Sequence, residues 1–142
     1  MNIQNILVVC VGNICRSPMA EYLLKQQYPQ LHIVSAGISG LTGHAADQKA
    51  NLCMQRLGID MSPHIAQKLN AELIKKADLI LVMSQNQQKH LEQTWPFAKG
   101  KTFRLGHWRG RNVPDPYQHE QLVFNETCQL IQDCISDWTQ HI

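Results

Sequence analysis

The stretch Ile6-Leu7-Val8-Val9-Cys10-Val11-Gly12-Asn13-Ile14-Cys15-Arg16-Ser17-Pro18-Met19 runs from an unbroken apolar segment, through a loop with glycine, asparagine and arginine, into Ser-Pro. Its first five residues are apolar without alternation and rich in β-branched side chains. That pattern fits a strand covered on both faces, as in a parallel sheet. Ser17 and Pro18 read as an N-cap followed by proline at the first helical position. Met19, Leu23, Leu24 and Gln27 then continue at helical spacing. Strand, loop and helix in that order begin a βαβ unit.

The pattern repeats along the chain. Leu31 to Ala36 reads as a second strand, and Gly37, Gly40 and Gly43 loosen the loop after it. Ala46, Ala50, Cys53 and Leu57 form a helical stripe stopped by Gly58. A short helix near Asn70 to Lys76 leads into Leu79-Ile80-Leu81-Val82-Met83, another run of the buried-strand type. Ser84 with Gln87 three residues on is a capping-box signature. A weak strand is expected near Thr102 to Leu105. A last helix carries Phe124, Cys128, Ile131, Ile135 and Trp138 on one face. Neither repeats nor low-complexity tracts interrupt this order. The expected fold class is α/β: an open, mostly parallel four-stranded sheet with helices on both faces, in one domain over residues 1–142.

Bulk properties agree. The 142 residues suit one domain. A hydrophobic fraction of 44% against 17% charged residues supports a packed core and argues against disorder. A net charge of +2 is too mild to point to nucleic acid. The apolar run at Ile6 to Val11 is too short for a signal peptide's core and lacks a basic flank. No stretch approaches the roughly 18 apolar residues of a membrane span. A cytoplasmic protein is expected, in a compartment where thiols stay reduced and five cysteines imply no disulfide framework.

In an open α/β sheet, ligands bind beyond the carboxyl ends of strands. The loop from Cys10 to Ser17 lies there. Backbone N–H groups at a glycine-containing turn can converge on one oxygen-rich group, and the following helix N-terminus favours negative charge. Arg16 brings a planar fork that matches phosphate oxygens two at a time. The same field favours the nucleophilic thiolate of Cys10. One C-x5-R loop can thus hold a phosphate and aim a nucleophile at its phosphorus. Alone, such a pattern also arises by chance. Cys10 and Cys15 as a zinc pair would need further ligands, and no second close pair of Cys or His supplies them. The nucleotide-binding G-x-x-x-x-G-K-S/T is absent. Cys53, Cys128 and Cys134 sit on or beside helical core stripes and read as packing residues.

The second element is Pro114-Asp115-Pro116-Tyr117. Phosphate-ester cleavage needs a proton for the departing oxygen, and a carboxylic acid on a stiff loop can supply it. Pro114 and Pro116 restrict the backbone on both sides of Asp115. Taken alone, Asp-Pro is ordinary turn chemistry; beside the first loop it reads as the acid. Arg104, His107, Arg109 and Arg111 precede it, either as a solvated loop or as a basic patch that steers acidic phosphopeptides.

Together, CVGNICRSPMAE near the N-terminus, Ser35-Ala36-Gly37 and the late Asp115-Pro116-Tyr117 resemble the low-molecular-weight protein tyrosine phosphatases in order and spacing, over essentially the whole chain. Val9 stands before Cys10, where larger phosphatase families carry histidine. The segment LGHWRGRNVPDPY, residues 105–117, further resembles bacterial members paired with autophosphorylating tyrosine kinases of capsule or exopolysaccharide export. The resemblance implies a phosphotyrosine hydrolase working through a phosphocysteine. Cys10 is then the nucleophile, Arg16 the phosphate clamp and Asp115 the general acid. Val11, Gly12, Asn13, Ile14 and Cys15 complete the phosphate-binding loop, and Ser17 hydrogen-bonds the sulfur. Asn13 and Ser35 support the loop's shape, with His64 a candidate for the same network. Leu41 and Tyr117 wall the cleft for the aromatic ring; some relatives carry an aromatic residue where Leu41 stands and a second tyrosine where Gln118 stands. Cys15 protects Cys10 by forming a disulfide on oxidation. The scheme calls for neither cofactor nor metal. The implied partner is a phosphotyrosine protein, the tail of a bacterial tyrosine kinase, with no nucleic acid and no membrane insertion, and the chain is expected to be a monomer or weak oligomer.

Two other readings stand beside this one. A thiol-dependent arsenate reductase on the same scaffold needs a relay of further cysteines, and no thiol lies between Cys53 and Cys128. A non-catalytic phosphotyrosine-binding module would be expected to lack Cys10 or Asp115, and both are present.

Overall fold

The opening apolar run forms β1 (Asn5–Cys10), and every residue from Ile6 to Cys10 is buried in the computed structural model, which describes residues 2–142. The chain continues through α1 (Arg16–Gln27), β2 (His32–Gly37), α2 (Gln48–Gln55), α3 (Ala71–Lys76), β3 (Leu79–Val82), α4 (Gln85–Thr94), β4 (Thr102–Arg104) and α5 (Gln121–Trp138). The four strands form one sheet in the order β2-β1-β3-β4, and every pairing is parallel. After β1 the chain crosses to one side to make β2, then returns to the other side to make β3. The connection from β1 runs to one side and that from β3 to the other, which opens a crevice between their carboxyl ends.

Alternation along the strands divides the core in two. Ile6, Val8 and Cys10 of β1 pack with Leu79 and Leu81 of β3 against α1, α2 and α5. Leu7 and Val9 pack with Ile80 and Val82 against α3 and α4. The unbroken apolar runs are explained by this: each central strand is buried on both faces. The stripe Phe124, Cys128, Ile131, Ile135, Trp138 is buried along α5, and Cys53 and Cys134 are buried as well. Among the described residues, no helix is long and apolar enough to cross a membrane.

Three local expectations are corrected. Ser17 is not an N-cap: α1 begins at Arg16, and Cys15 precedes it without a side-chain cap. The Ser17 hydroxyl lies beside Cys10 instead, and Pro18 sits within the first turn, where no intrahelical N–H bond is lost. The helical stripe loses both ends, because α2 runs from Gln48 to Gln55: Ala46 lies before the Asp47 cap, though buried, and Leu57 lies beyond the helix and is exposed. The capping box at α4 is half formed. Ser84 accepts from the Gln87 N–H at 3.2 Å, but the Gln87 side chain reaches past Ser84 and accepts from the Met83 N–H at 2.8 Å.

Candidate active site

The loop between β1 and α1 is held from outside by its carbonyls. Six in succession accept hydrogen bonds: Cys10 from Ile38 N, Val11 from Ser39 N and Gly40 N, Gly12 from Leu41 N, Ile14 from Asp47 N and Cys15 from Met19 N, while Asn13 O lies 2.7 Å from His64 Nε2. In a trans peptide the N–H points opposite to the carbonyl before it. Six anchored carbonyls therefore turn the amides of Val11 to Arg16 toward the loop's interior, above the N-terminus of α1. Such an arrangement can cradle an anion.

The cradle is strained and supported. Asn13 sits at φ 62°, a left-handed conformation that asparagine tolerates better than most residues. Its side chain is fully buried. Asn13 Nδ2 donates to Ser17 Oγ at 2.8 Å and to Ser35 Oγ at 2.9 Å, and its Oδ1 accepts from Gln67 N at 2.9 Å. Ser17 Oγ lies 2.9 Å from Cys10 Sγ. Ser35 Oγ donates to the buried carboxylate of Glu21.

Arg16 is buried, with only 6% of its side chain exposed. One arm, Nη1, donates to Val113 O at 2.9 Å, and Nη2 lies 3.6 Å from Asp115 Oδ2. Its Nε is buried without an acceptor among the described residues, a condition that native structures rarely leave without a use. Asp115 itself is about half exposed, with its side chain 46% accessible, and its Oδ1 accepts from Tyr117 N at 3.1 Å. Cys15 is buried beside Cys10. Burial pushes its thiol well above the usual range, and the charges of Asp47, Cys10 and Asp115 push the same way.

Cys10, Val11, Gly12, Ile14, Cys15, Arg16, Leu41, Asp115 and Tyr117 line one cleft of about 240 Å³. It is small beside typical ligand pockets of about 300–1,000 Å³ and suits one side-chain headgroup. Asn13, Ser17, Ser35 and His64 stand behind the loop. The structure thus brings every sequence-predicted site residue to one place. It adds four that sequence reasoning missed: Ser39 in the cleft wall, Val113 under Arg16, Gln67 on Asn13 and Glu21 on Ser35. Only Glu21 left a local signal, since it stands one helical turn after Ser17.

The profile of the family described as "Low molecular weight phosphotyrosine protein phosphatase" matches residues 5–142. The low molecular weight protein-tyrosine-phosphatase Ptp of Acinetobacter johnsonii is 78% identical over 142 residues, covering 100% of both chains. The crystal structure of the tyrosine phosphatase AmsI of Erwinia amylovora superposes with a TM-score of 0.95 at 34% identity, over 99% of this chain and 94% of that one. Vibrio vulnificus Wzb, solved with benzylphosphonate, gives 0.95 at 37% identity over 99% and 100%. The chain belongs to the family of low molecular weight protein-tyrosine-phosphatases.

Proposed function

We propose that this chain, as one catalytic domain over residues 1–142, hydrolyses phosphotyrosine in two steps through a phosphocysteine. The observation that carries this reading is the set of six anchored carbonyls, which turns the loop amides inward, where they can converge on one phosphate beside Cys10. The Cys10 thiolate attacks phosphorus in line, and the bond from phosphorus to the phenolic oxygen breaks. Asp115 gives that oxygen its proton. In the second step Asp115, now a carboxylate, takes a proton from water. The resulting hydroxide attacks phosphorus, breaks the S–P bond and releases inorganic phosphate and the thiolate. Arg16 and the loop amides meet the charge on the equatorial oxygens throughout, which is positioning and electrostatics rather than covalent work. Val11, Leu41 and Tyr117 are each about two-fifths exposed at the cleft mouth; there they can flank an aromatic ring while its phosphate reaches the loop.

The resemblance of residues 105–117 to bacterial members paired with polysaccharide-export kinases supports a kinase tail bearing phosphotyrosine as the partner. A cytoplasmic site of action follows from that partner.

The test pairs two variants. Cys10→Ser is expected to abolish turnover of aryl phosphates while inorganic phosphate still binds. Asp115→Asn is expected to lower kcat by about 10²–10⁴-fold, the usual range for general acid–base catalysis, with a smaller loss in the first step for phenols that leave easily. Substantial turnover by Cys10→Ser would remove the nucleophile. A loss that stays flat across leaving groups would remove Asp115 as the acid.

A further inference from the structure

Glu21 is a buried acid that the two-step chemistry does not use. It lies on the first half of α1, 7% exposed, with one carboxylate oxygen paired to Lys25 and the other accepting from Ser35 Oγ. The direction of the hydrogen bonds beyond it is set as far as Ser17. Paired with a lysine ammonium, the carboxylate can only accept, so the single Ser35 proton goes to Glu21. The Ser35 oxygen is left to accept, and what it accepts is one proton of Asn13 Nδ2. The Asn13 amide cannot be turned round, because its Oδ1 receives the Gln67 N–H and a backbone N–H only donates. The second Nδ2 proton goes to Ser17 Oγ. That leaves the Ser17 proton free for Cys10 Sγ, 2.9 Å away, and when Cys10 is a thiolate, which can only accept, Ser17 is the donor of that bond.

We infer that Glu21 is a positioning residue, the fixed end of a one-way chain Glu21–Ser35–Asn13–Ser17–Cys10 that holds the strained loop and keeps a hydroxyl donating to the sulfur. A thiolate can only accept, so this polarity suits the reacting form of Cys10. Without an acceptor at Glu21, the Ser35 hydroxyl loses its anchor. It can then turn away from Asn13, whose left-handed backbone depends on its side-chain bonds. Hydrogen bonds in a buried chain polarise one another, so that each link supports the next. Burial explains why a residue that touches no substrate is expected to act: each link is buried, and a buried polar group stripped of its partner is left without one.

The inference rests on Cys10 being the nucleophile. Turnover of an aryl phosphate is therefore measured for Cys10→Ser, Glu21→Met, Glu21→Asp and Glu21→Gln, and for the Glu21 variants combined with Ser35→Ala. Met fills the space without an acceptor. Asp keeps the charge but falls short of Ser35, and it keeps the measurement readable if Met does not fold. Both are expected to lower kcat about 10-fold, the scale of one lost charge-assisted buried hydrogen bond, with KM moving less than about 3-fold. Gln, which retains an acceptor, restores most of kcat. In the Ser35→Ala background the Glu21 substitutions add nothing further, because the link they cut is already gone. Wild-type kcat in Met and Asp, or the same loss with and without Ser35, overturns the positioning role. Turnover surviving in Cys10→Ser overturns the nucleophile itself and is a separate failure.

Discussion

Cys10 and Cys15 share one loop but face different tasks. Both are buried, at 3% exposure, yet only Cys10 meets a hydroxyl at its sulfur. Cys15 is held as a thiol by burial and by the negative groups around it. We propose that this thiol guards the other. Peroxide oxidises the Cys10 thiolate to a sulfenic acid; the Cys15 thiol condenses with it, releasing water and forming a disulfide that added thiol can reduce. Peroxide should therefore inactivate the enzyme reversibly, bound phosphate should slow the loss, and in Cys15→Ser most of the activity should not return. Recovery after reductant, with peptide mapping of the oxidised loop, reads this out. Equal recovery in both proteins without a Cys10–Cys15 bridge would leave Cys15 a packing residue. At this scale the sequence was legible where chemistry is local. Cys10 and Arg16 bracket one turn, and Asp115 is marked by its prolines. Gln67 was not legible, since it meets Asn13 from 54 positions away through a backbone N–H that any residue carries. Local pattern misread Ser17 as a cap, because a serine before a proline at a helix start normally is one; the family resemblance instead set it beside the sulfur, where it lies.

At the scale of elements, the loop's shape depends on the strand beside it. Gly37 ends β2, opposite Cys10 in the register. A Cβ there would stand 2.6 Å from Val11 O and 2.9 Å from both Asn13 N and Gly12 C, all backbone atoms of the phosphate loop. Gly37 is held on its other side too, donating to Gln67 O and accepting from Leu69 N, so β2 cannot simply retreat. Gly37→Ala should push the loop out of register with Arg16. A displacement of about 1 Å can cost on the order of 10²-fold in rate, and overpacking costs about 1–3 kcal/mol of stability. The measurements are kcat/KM on an aryl phosphate, inhibition by inorganic phosphate, and the melting temperature. Wild-type values for all three would show that the loop does not lean on β2. The strands and helices were readable because each central strand is buried on both faces and α5 keeps one stripe. The half-formed box at α4 was not, because Gln87 can reach either of two adjacent N–H groups and only the bend after β3 decides between them.

Across the whole molecule, the two edges of the sheet do different work. The carboxyl edge gathers the phosphate loop, the loop after β2 and the acid loop at the switch point, where strain and buried polar groups concentrate. The opposite edge holds β1 and β3 in register, and Asp78 does much of this. Its Oδ2 accepts from Gln4 N at 2.9 Å and Asn5 N at 2.8 Å, and its own N–H donates to Asn5 O. These two backbone hydrogen bonds, with smaller help from the Asn5 side chain and Lys101, hold the Asp78 carboxyl below its ordinary value of 3.8. A depressed folded value means that the unfolded chain takes up the proton first. The contribution is therefore fully present above about pH 4 and is lost as the pH falls through the folded value. Asp78→Asn can keep one neutral oxygen facing both N–H groups, but it loses the charge and cannot titrate. Asp78 is close to solvent, so screening limits the effect to a few degrees in melting temperature. The variant should melt below wild type at pH 7, and the two should converge as the pH is lowered from 4 toward 2. Turnover at pH 6 should be unchanged, since the residue stands at the far edge of the sheet from Cys10. Melting curves that run parallel down to pH 2 would show that the carboxylate's charge adds nothing at that edge. A fall in kcat without a change in melting would mean that the two edges are not independent.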